Sequence, residues 1–464
     1  MAQKDLKRFF APRSVAVIGA SANKGRPGRV VIENMRANGY KGDIHPVNPR
    51  GGKLLGLRVF KTIKDLPSGI DLAIVILPAQ ATPQAVRDCA ARNIGSIVLV
   101  AGGFAEVDHA GEDLQQELAQ ASRETGVRVL GPNTAGHIST PADFTSSFFP
   151  LGEIPRGGIS YVAQTGNFTG AMMKHIMSAE NYGVARCIGL GNTVDIDETD
   201  VFEFLATDRY TKAIFFYLES LRRPREFIEI AKQVTPKKPV IVLKGGATAD
   251  GAKAALSHTA SMGSDDRILD GALRQAGVVR IDEFSHLFLA AKAVAPMPVP
   301  AGNRVGFVSP SGAFIVHISD LCRQRFNLSF PDLMPRTMDR LREISPPFIR
   351  LSNPVDIFPS ATVHGMEFAY REAMEAVLTD PNVDAVVSIM ILTRELGMPS
   401  LDFIPELAKK HPKKPIYISF SGDHACNEEA KAFLEPRGVP TFPLIEDAFK
   451  ALDILAQARK SLKK

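Results

Sequence analysis

An α/β fold of three consecutive parallel-sheet domains is predicted by three observations. Short apolar strands alternate with helix-length segments along the chain, the pattern of βαβ units. The alternation restarts twice after proline- and glycine-rich joints, Pro141 to Gly158 with its PLGEIPRGG and Ala295 to Asn303 with its PMPVPAGN. The length, 464 residues, allows about three domains, each with its own core. The expected domains span residues 1–140, 155–295 and 303–464.

The first set of strands comprises Val15 to Ile18, Asp43 to Val47, Leu72 to Leu77, Ser96 to Val100 and Arg128 to Leu130, and ends in the turn Gly131-Pro132-Asn133. Ile159 to Val162, Ala185 to Gly191, Ala213 to Leu218, Val240 to Leu243 and Val278 to Ile281 form the second set. Val305 to Val308, Ala385 to Leu392 and Ile416 to Phe420 belong to the third. Each set opens with a hydrophobic strand that breaks at small residues into a helix: VIGASANKGRPG, YVAQTGNFTG and FVSPSGAF. A helix N-terminus reached by such a turn offers free backbone N–H groups and the positive end of the dipole to a phosphate. Small residues are also what a tight strand-to-helix turn needs for steric reasons alone.

Composition narrows the function. Hydrophobic residues make up 45% and charged residues 23%, as in ordinary globular proteins. The formal net charge of +5 is spread rather than clustered, which argues against nucleic acid and for a bound polyanionic small molecule. The four cysteines, Cys89, Cys187, Cys322 and Cys426, lie far apart with no CxxC spacing, consistent with reduced thiols in a cytoplasm. No apolar run approaches the ~18 to 20 residues that span a bilayer, so no membrane role is expected. HExxH and GxSxG are both absent, which leaves no metalloprotease or serine-hydrolase pattern. Asp195, Asp197, Glu198 and Asp200 read as helix caps and dipole partners, so no metal site is expected.

In the first domain the second strand runs into His45-Pro46-Val47-Asn48-Pro49-Arg50. An NAD site normally carries an acid at the end of that strand, whereas here there is none and Arg50 and Lys53 follow. Two cations suit a phosphorylated ribose, either the 3′-phosphate end of coenzyme A or the 2′-phosphate of NADP. A surface loop with solvated basic residues is the alternative.

In the second domain the strand Val240 to Leu243 opens into a long loop, Gly245 to Ser264, which holds four glycines and His258. A connection of that length inside a compact protein is usually functional or disordered. Glu219 follows the strand Ala213 to Leu218, at the carboxyl edge where open sheets gather ligands. A carboxylate there can hold one imidazole nitrogen and leave the other nucleophilic. The alternatives are a solvated loop histidine and a strand-end salt bridge from Glu219 to Arg222 or Arg223.

Ten motifs in order, SVAVIGAS, GYKGDIHPVNPR, DLAIVILPA, AGGFAE, GPNTAG, AQTGN, YLES, LKGG, LSHTAS and SNPVDI, cover nearly the whole chain and resemble the NDP-forming acyl-CoA synthetases. The likeness is to the subunit that carries CoA-binding and phosphohistidine domains, a relative of the succinyl-CoA synthetase α subunit. It implies a Rossmann-like CoA-binding domain followed by two flavodoxin-like domains. It further implies that Gly19, Ala20, Ser21, Pro49, Arg50, Pro78 and Asn133 border coenzyme A. His258 would be the phosphorylated histidine and Glu219 its orienting carboxylate. Gln164, Thr165, Gly166 and Asn167, and in the third domain Ser309, Ser311 and Gly312, would cradle phosphate.

The implied activity interconverts acyl-CoA, ADP and phosphate with a small carboxylic acid, CoA and ATP. No segment resembles an ATP-grasp module, so ADP or ATP and Mg²⁺ are expected on a partner β-type subunit. Three motifs depart from the common pattern: AQTGN for SQSGN, Ala260 for glycine, and SPSGAF for TNAGGPG. A CoA- or nucleotide-binding regulatory protein that kept the domains and lost the reaction is the alternative.

Overall fold

The computed structural model describes residues 6–248, 250–251, 253, 266–395 and 398–462. They form two compact units, Met1–Asp282 and Glu283–Lys464. Among the described residues the first unit contains two large sheets and a two-stranded hairpin, and the second contains one sheet.

In the first sheet β1 (Ser14–Ile18), β2 (Asp43–Val47), β5 (Leu72–Val75), β6 (Ser96–Leu99) and β7 (Arg128–Leu130) run parallel in the order β2-β1-β5-β6-β7. A small hairpin, β3 (Lys53–Leu54) with β4 (Leu57–Arg58), lies beyond β2. Strands β5 and β6 are buried at every position, as expected of a sheet covered by helices on both faces. Counted along the chain the order is 2-1-3-4-5, and it reverses between β1 and β5.

The second sheet has the order β14-β13-β12-β10-β11-β8-β9. Its strands are β8 (His137–Ser139), β9 (Phe144–Thr145), β10 (Arg156–Ala163), β11 (Val184–Gly189), β12 (Ala213–Leu218), β13 (Val240–Lys244) and β14 (Val279–Ile281). From β14 to β11 the strands are parallel and repeat the 2-1-3-4-5 order, with the reversal between β10 and β12. Strands β8 and β9 add antiparallel to β11. The joint expected to be irregular, residues 141–158, is therefore partly strand. Pieces of two and three residues are too short for any alternation to be visible in the sequence.

The third sheet, β16-β15-β17-β18-β19, is also parallel with the same order. Its strands are β15 (Val305–Ser309), β16 (Val355–Asp356), β17 (Ala385–Leu392), β18 (Ile416–Gly422) and β19 (Thr441–Phe442). The two edge strands have two residues each and were not expected from the sequence. Helix Phe284–Val294 lies in this unit, against helix Ile445–Arg459. Its run from Leu287 to Val294 is apolar nearly all round, and such a helix is buried on every side. Within that run Lys292 pairs with Glu435 at 2.7 Å, both almost fully buried.

The N-terminal helix Lys7–Phe10 seals the first unit. Phe10 stacks on Phe204 with ring centroids 4.2 Å apart, and the buried Arg186–Asp208 pair sits alongside. His137 on β8 is fully buried between Phe9, Phe10 and Phe144. One ring nitrogen lies 2.6 Å from the Phe9 carbonyl and the other 2.9 Å from Ser146 Oγ.

Burial keeps His137 neutral and pushes its pKa down to about 4. An unfolded histidine takes up its proton near pH 6.5 while this one does not, so stability is lost as pH falls from about 6.5 to about 4. The loss through this group should reach roughly 3 kcal/mol by pH 4. Urea unfolding across that range, with NMR titration of the imidazole, checks it; a His137 that titrates near 6.5 in the native protein contradicts it.

Candidate active site

At the carboxyl edge of the first sheet the loop after β1 is shaped by two glycines. Gly19 has φ +93°, and a Cβ there would lie 2.0 Å from the Ile76 carbonyl oxygen. Gly28, in the first turn of helix Pro27–Ala37, would place a Cβ 2.4 Å from the Gly19 oxygen. Only glycine lets the helix N-terminus close onto the loop this tightly, which leaves Gly19, Ala20 and Ser21 at the strand-order reversal.

Asn48 fixes the next loop. Its Nδ2 donates to the Ala20 carbonyl at 2.7 Å, and its Oδ1 accepts from the Arg50 N–H at 3.0 Å. Arg50 and Lys53 are exposed, with no ion pair among the described residues. Pro78 follows β5, and Asn133, at φ 57°, follows β7 with its N–H on the Ala101 carbonyl at 2.7 Å. Parallel strands thus bring Gly19, Ala20, Ser21, Pro49, Arg50, Pro78 and Asn133 to one edge, and Lys53 stands on the hairpin beside β2. A glycine cradle, two free cations and no acid at the end of β2 fit a phosphorylated nucleotide such as coenzyme A.

The carboxyl edge of the second sheet is organised by Gln164. Its Oε1 accepts from the Glu219 N–H at 2.6 Å and the Ser220 N–H at 2.9 Å. Its Nε2 donates to the Ser220 carbonyl at 3.0 Å and to Glu198 at 3.3 Å. This side chain of the expected phosphate-cradling turn is therefore committed to holding the end of β12. Thr165 caps the short turn Gly166–Thr169 and accepts from the Asn167 N–H at 3.3 Å.

Glu219 stands at the order reversal, opposite the Gln164–Asn167 turn. Oε1 accepts from the Tyr217 hydroxyl at 3.1 Å. Oε2 is buried and has no hydrogen-bond partner among the described residues. The expected alternative, a salt bridge to Arg222 or Arg223, is not formed: Arg223 pairs with Asp197 and Asp200. Burial, then the Glu219 charge, raises the Tyr217 pKa and keeps the hydroxyl a donor. Lys244, ending β13, donates to the Glu219 carbonyl at 2.7 Å and also to the Gly245 carbonyl. Its pKa is lowered by burial. His258 lies outside the described residues.

Three members of this edge were not expected from the sequence. Asp197 caps helix Glu198–Thr207 as expected, accepting from the Thr199 and Asp200 N–H groups at 2.9 and 3.1 Å, but Glu198 in its first turn does more than face the dipole. Glu198 is turned inward, fully buried, with its other oxygen on the Arg222 N–H at 2.7 Å. Burial and the neighbouring Asp197 charge raise its pKa. Tyr217 lies within an expected strand and Lys244 just beyond one, and Tyr217 shares a face with Glu219 by the two-residue strand period.

The third turn lies in the second unit. Ser309 Oγ accepts from the Ser311 N–H at 3.1 Å and donates to the Ser311 carbonyl at 3.0 Å, so the hydroxyl closes on its own turn. Gly312 begins helix Gly312–Gln324 with open space around it. Among the described residues there is no group of three His, Cys, Asp or Glu side chains able to hold a metal, and no helix long and apolar enough to cross a membrane.

Two family models match the stretches that hold the first and second sheets. A CoA-binding domain model matches residues 13–139, and a succinyl-CoA ligase-like flavodoxin domain model matches residues 156–294. The chain is 35% identical to the ADP-forming acetate–CoA ligase II of Archaeoglobus fulgidus, over 99% of its own length and 67% of that protein's. It is 33% identical to the alpha subunit of the ADP-forming acetate–CoA ligase I of Pyrococcus furiosus, over 97% of each chain. Acetyl-coenzyme A synthetase 1 of Ca. Korarchaeum cryptofilum, solved in complex with phosphate and ADP, superposes with a TM-score of 0.90 at 29% identity, covering 99% of this chain and 98% of that one. With a match over nearly its whole length at this identity, the chain belongs to the family of ADP-forming acetate–CoA ligases.

Proposed function

We propose that the protein is the CoA-binding, phosphoryl-accepting subunit of a cytoplasmic ADP-forming acyl-CoA synthetase. The observation that carries this reading is the buried Oε2 of Glu219, which has no partner among the described residues at the edge where the chain leaves β13 toward His258. An imidazole N–H donated to that oxygen would leave the other nitrogen unprotonated and nucleophilic.

In the proposed sequence a phosphate oxygen attacks the thioester carbonyl carbon of a bound acyl-CoA. The C–S bond breaks, and CoA leaves as the thiol with an acyl phosphate remaining. The His258 nitrogen then attacks phosphorus, the P–O bond to the acyl group breaks, and the carboxylate departs. Finally the P–N bond breaks as the terminal oxygen of ADP takes the phosphoryl group. The backbone N–H groups of Thr165 and Gly166 serve the phosphoryl oxygens, with Asn167 on the same turn, while Gln164 positions Glu219.

ADP or ATP and Mg²⁺ are assigned to an ATP-grasp β-type partner. The support is that relatives spanning nearly the same length are named alpha subunits, and that the Korarchaeum relative was solved with phosphate and ADP. A binding-only regulatory role is favoured by one observation, the closure of the Ser309 hydroxyl on its own turn.

Phosphoryl transfer separates the two. With the partner and γ-labelled ATP, this chain should acquire acid-labile, base-stable label, and His258→Ala should lose label and turnover while still binding CoA. Glu219→Gln should label at least tenfold more slowly, because an amide does not supply the charge that favours the reactive imidazole. Label retained in His258→Ala sinks the reading.

The first edge makes a separate prediction. Calorimetry should find dephospho-CoA binding more weakly than CoA, and Arg50→Ala with Lys53→Ala should remove most of the difference. Equal affinities in the unsubstituted protein would contradict a role for these cations.

A further inference from the structure

The loop after β6 and the loop after β11 meet beside Asn133. Glu106 folds back on the first loop, where Oε1 accepts from the Gly103 N–H at 2.7 Å and the Phe104 N–H at 3.2 Å. Its Oε2 accepts from Asn192 Nδ2 at 2.5 Å. The same Nδ2 donates to Gln115 Oε1 at 2.9 Å, and Asn192 Oδ1 accepts from Asn133 Nδ2 at 3.3 Å.

A carboxylate only accepts, so this chain of amides has one direction. Asn192 must turn its NH₂ toward Glu106 and its oxygen toward Asn133. Asn133 must then give its NH₂ to Asn192 and keep Oδ1 as a free acceptor. That oxygen lies 3.1 Å from the position of a Cβ on Gly102, and Glu106 Oε1 lies 3.3 Å from the same point, so the missing side chain leaves it uncovered. Burial opposes the charge on Glu106, but donation from Asn192 and from the Gly103 N–H outweighs it and holds the carboxyl below its usual range.

We propose that Glu106 is a positioning residue that sets, through Asn192, the direction of the Asn133 amide, so that Asn133 Oδ1 presents a fixed acceptor to a secondary-amide N–H of the CoA arm. The inference rests on the reading that CoA binds the first carboxyl edge. A neutral amide at position 106 would keep its oxygen on Gly103 and Phe104 and turn an NH₂ toward Asn192. Asn192 would then reverse, Gln115 would reverse with it, and an NH₂ rather than an oxygen would face Asn133.

CoA affinity of the full chain, measured by calorimetry for four proteins, tests the relay. Glu106→Gln should weaken CoA binding by up to about tenfold, the worth of one hydrogen bond. Asn133→Asp alone should also weaken it, because its carboxylate meets Asn192 Oδ1. The double variant Glu106→Gln with Asn133→Asp should recover to within about threefold of the unsubstituted protein, since the reversed Asn192 now donates to Asp and an acceptor again faces the ligand. A residue that merely supports the fold gives no such recovery.

Glu106→Gln binding as tightly as the unsubstituted protein, or two losses that simply add, would overturn the relay while leaving the CoA site intact. Failure of the unsubstituted protein to bind CoA would instead sink the functional reading, and the relay with it.

Discussion

The amide of Gln164 holds the second carboxyl edge together. Strands β10 and β12 are neighbours, with Ala163 opposite Tyr217, and both must turn away at the same place. The backbone N–H groups of Glu219 and Ser220 leave the ladder there and would be costly to bury without acceptors. One side chain accepts both, donates to the Ser220 carbonyl, and uses its remaining N–H on Glu198. Glu198 in turn accepts the Arg222 N–H, while Lys244 takes the Glu219 carbonyl from the far side. With the backbone of Glu219 fixed in this way, its carboxylate is aimed by Tyr217, and one oxygen has no partner among the described residues.

The three sheets share one strand order and use its reversal differently. In the first, glycines let a helix terminus close on the loop; in the second, an amide clamps two strand ends; in the third, a serine hydroxyl closes its own turn. Topology supplies a crevice in each case, and the side chains at the strand ends decide what the crevice can do.

The long strands were legible because they are continuous apolar runs bounded by small residues, and β2 and β7 were expected with their observed limits. The positions around Gly19, Arg50, Asn133, Gln164 and Glu219 were legible as strand ends, since parallel strands must deliver their carboxyl ends to one edge. What each side chain binds there was not. The Gln164 contacts to Glu198 and Ser220 span 34 and 56 residues, and nothing local distinguishes an inward Glu198 from an outward cap. The resemblance placed Gln164 in a phosphate-cradling turn, and it is the strand-end contacts of its side chain that were not foreseen. Strands β8, β9, β16 and β19 escaped because each is set by its neighbour in the sheet rather than by its own two or three residues.

Strands β8 and β9 bear on how this protein can be cut into parts. The chain that leaves the first sheet becomes the antiparallel margin of the second before it enters β10, so the two sheets of the first unit have no simple seam between them. A fragment ending at residue 140 would carry β8 away and leave β11 with a bare row of N–H and C=O groups. It would also take His137 from under Phe144. Open strand margins of that kind recruit other chains. Dissection of this chain is better placed after Asp282, where the two units divide, than at the point where the first sheet ends.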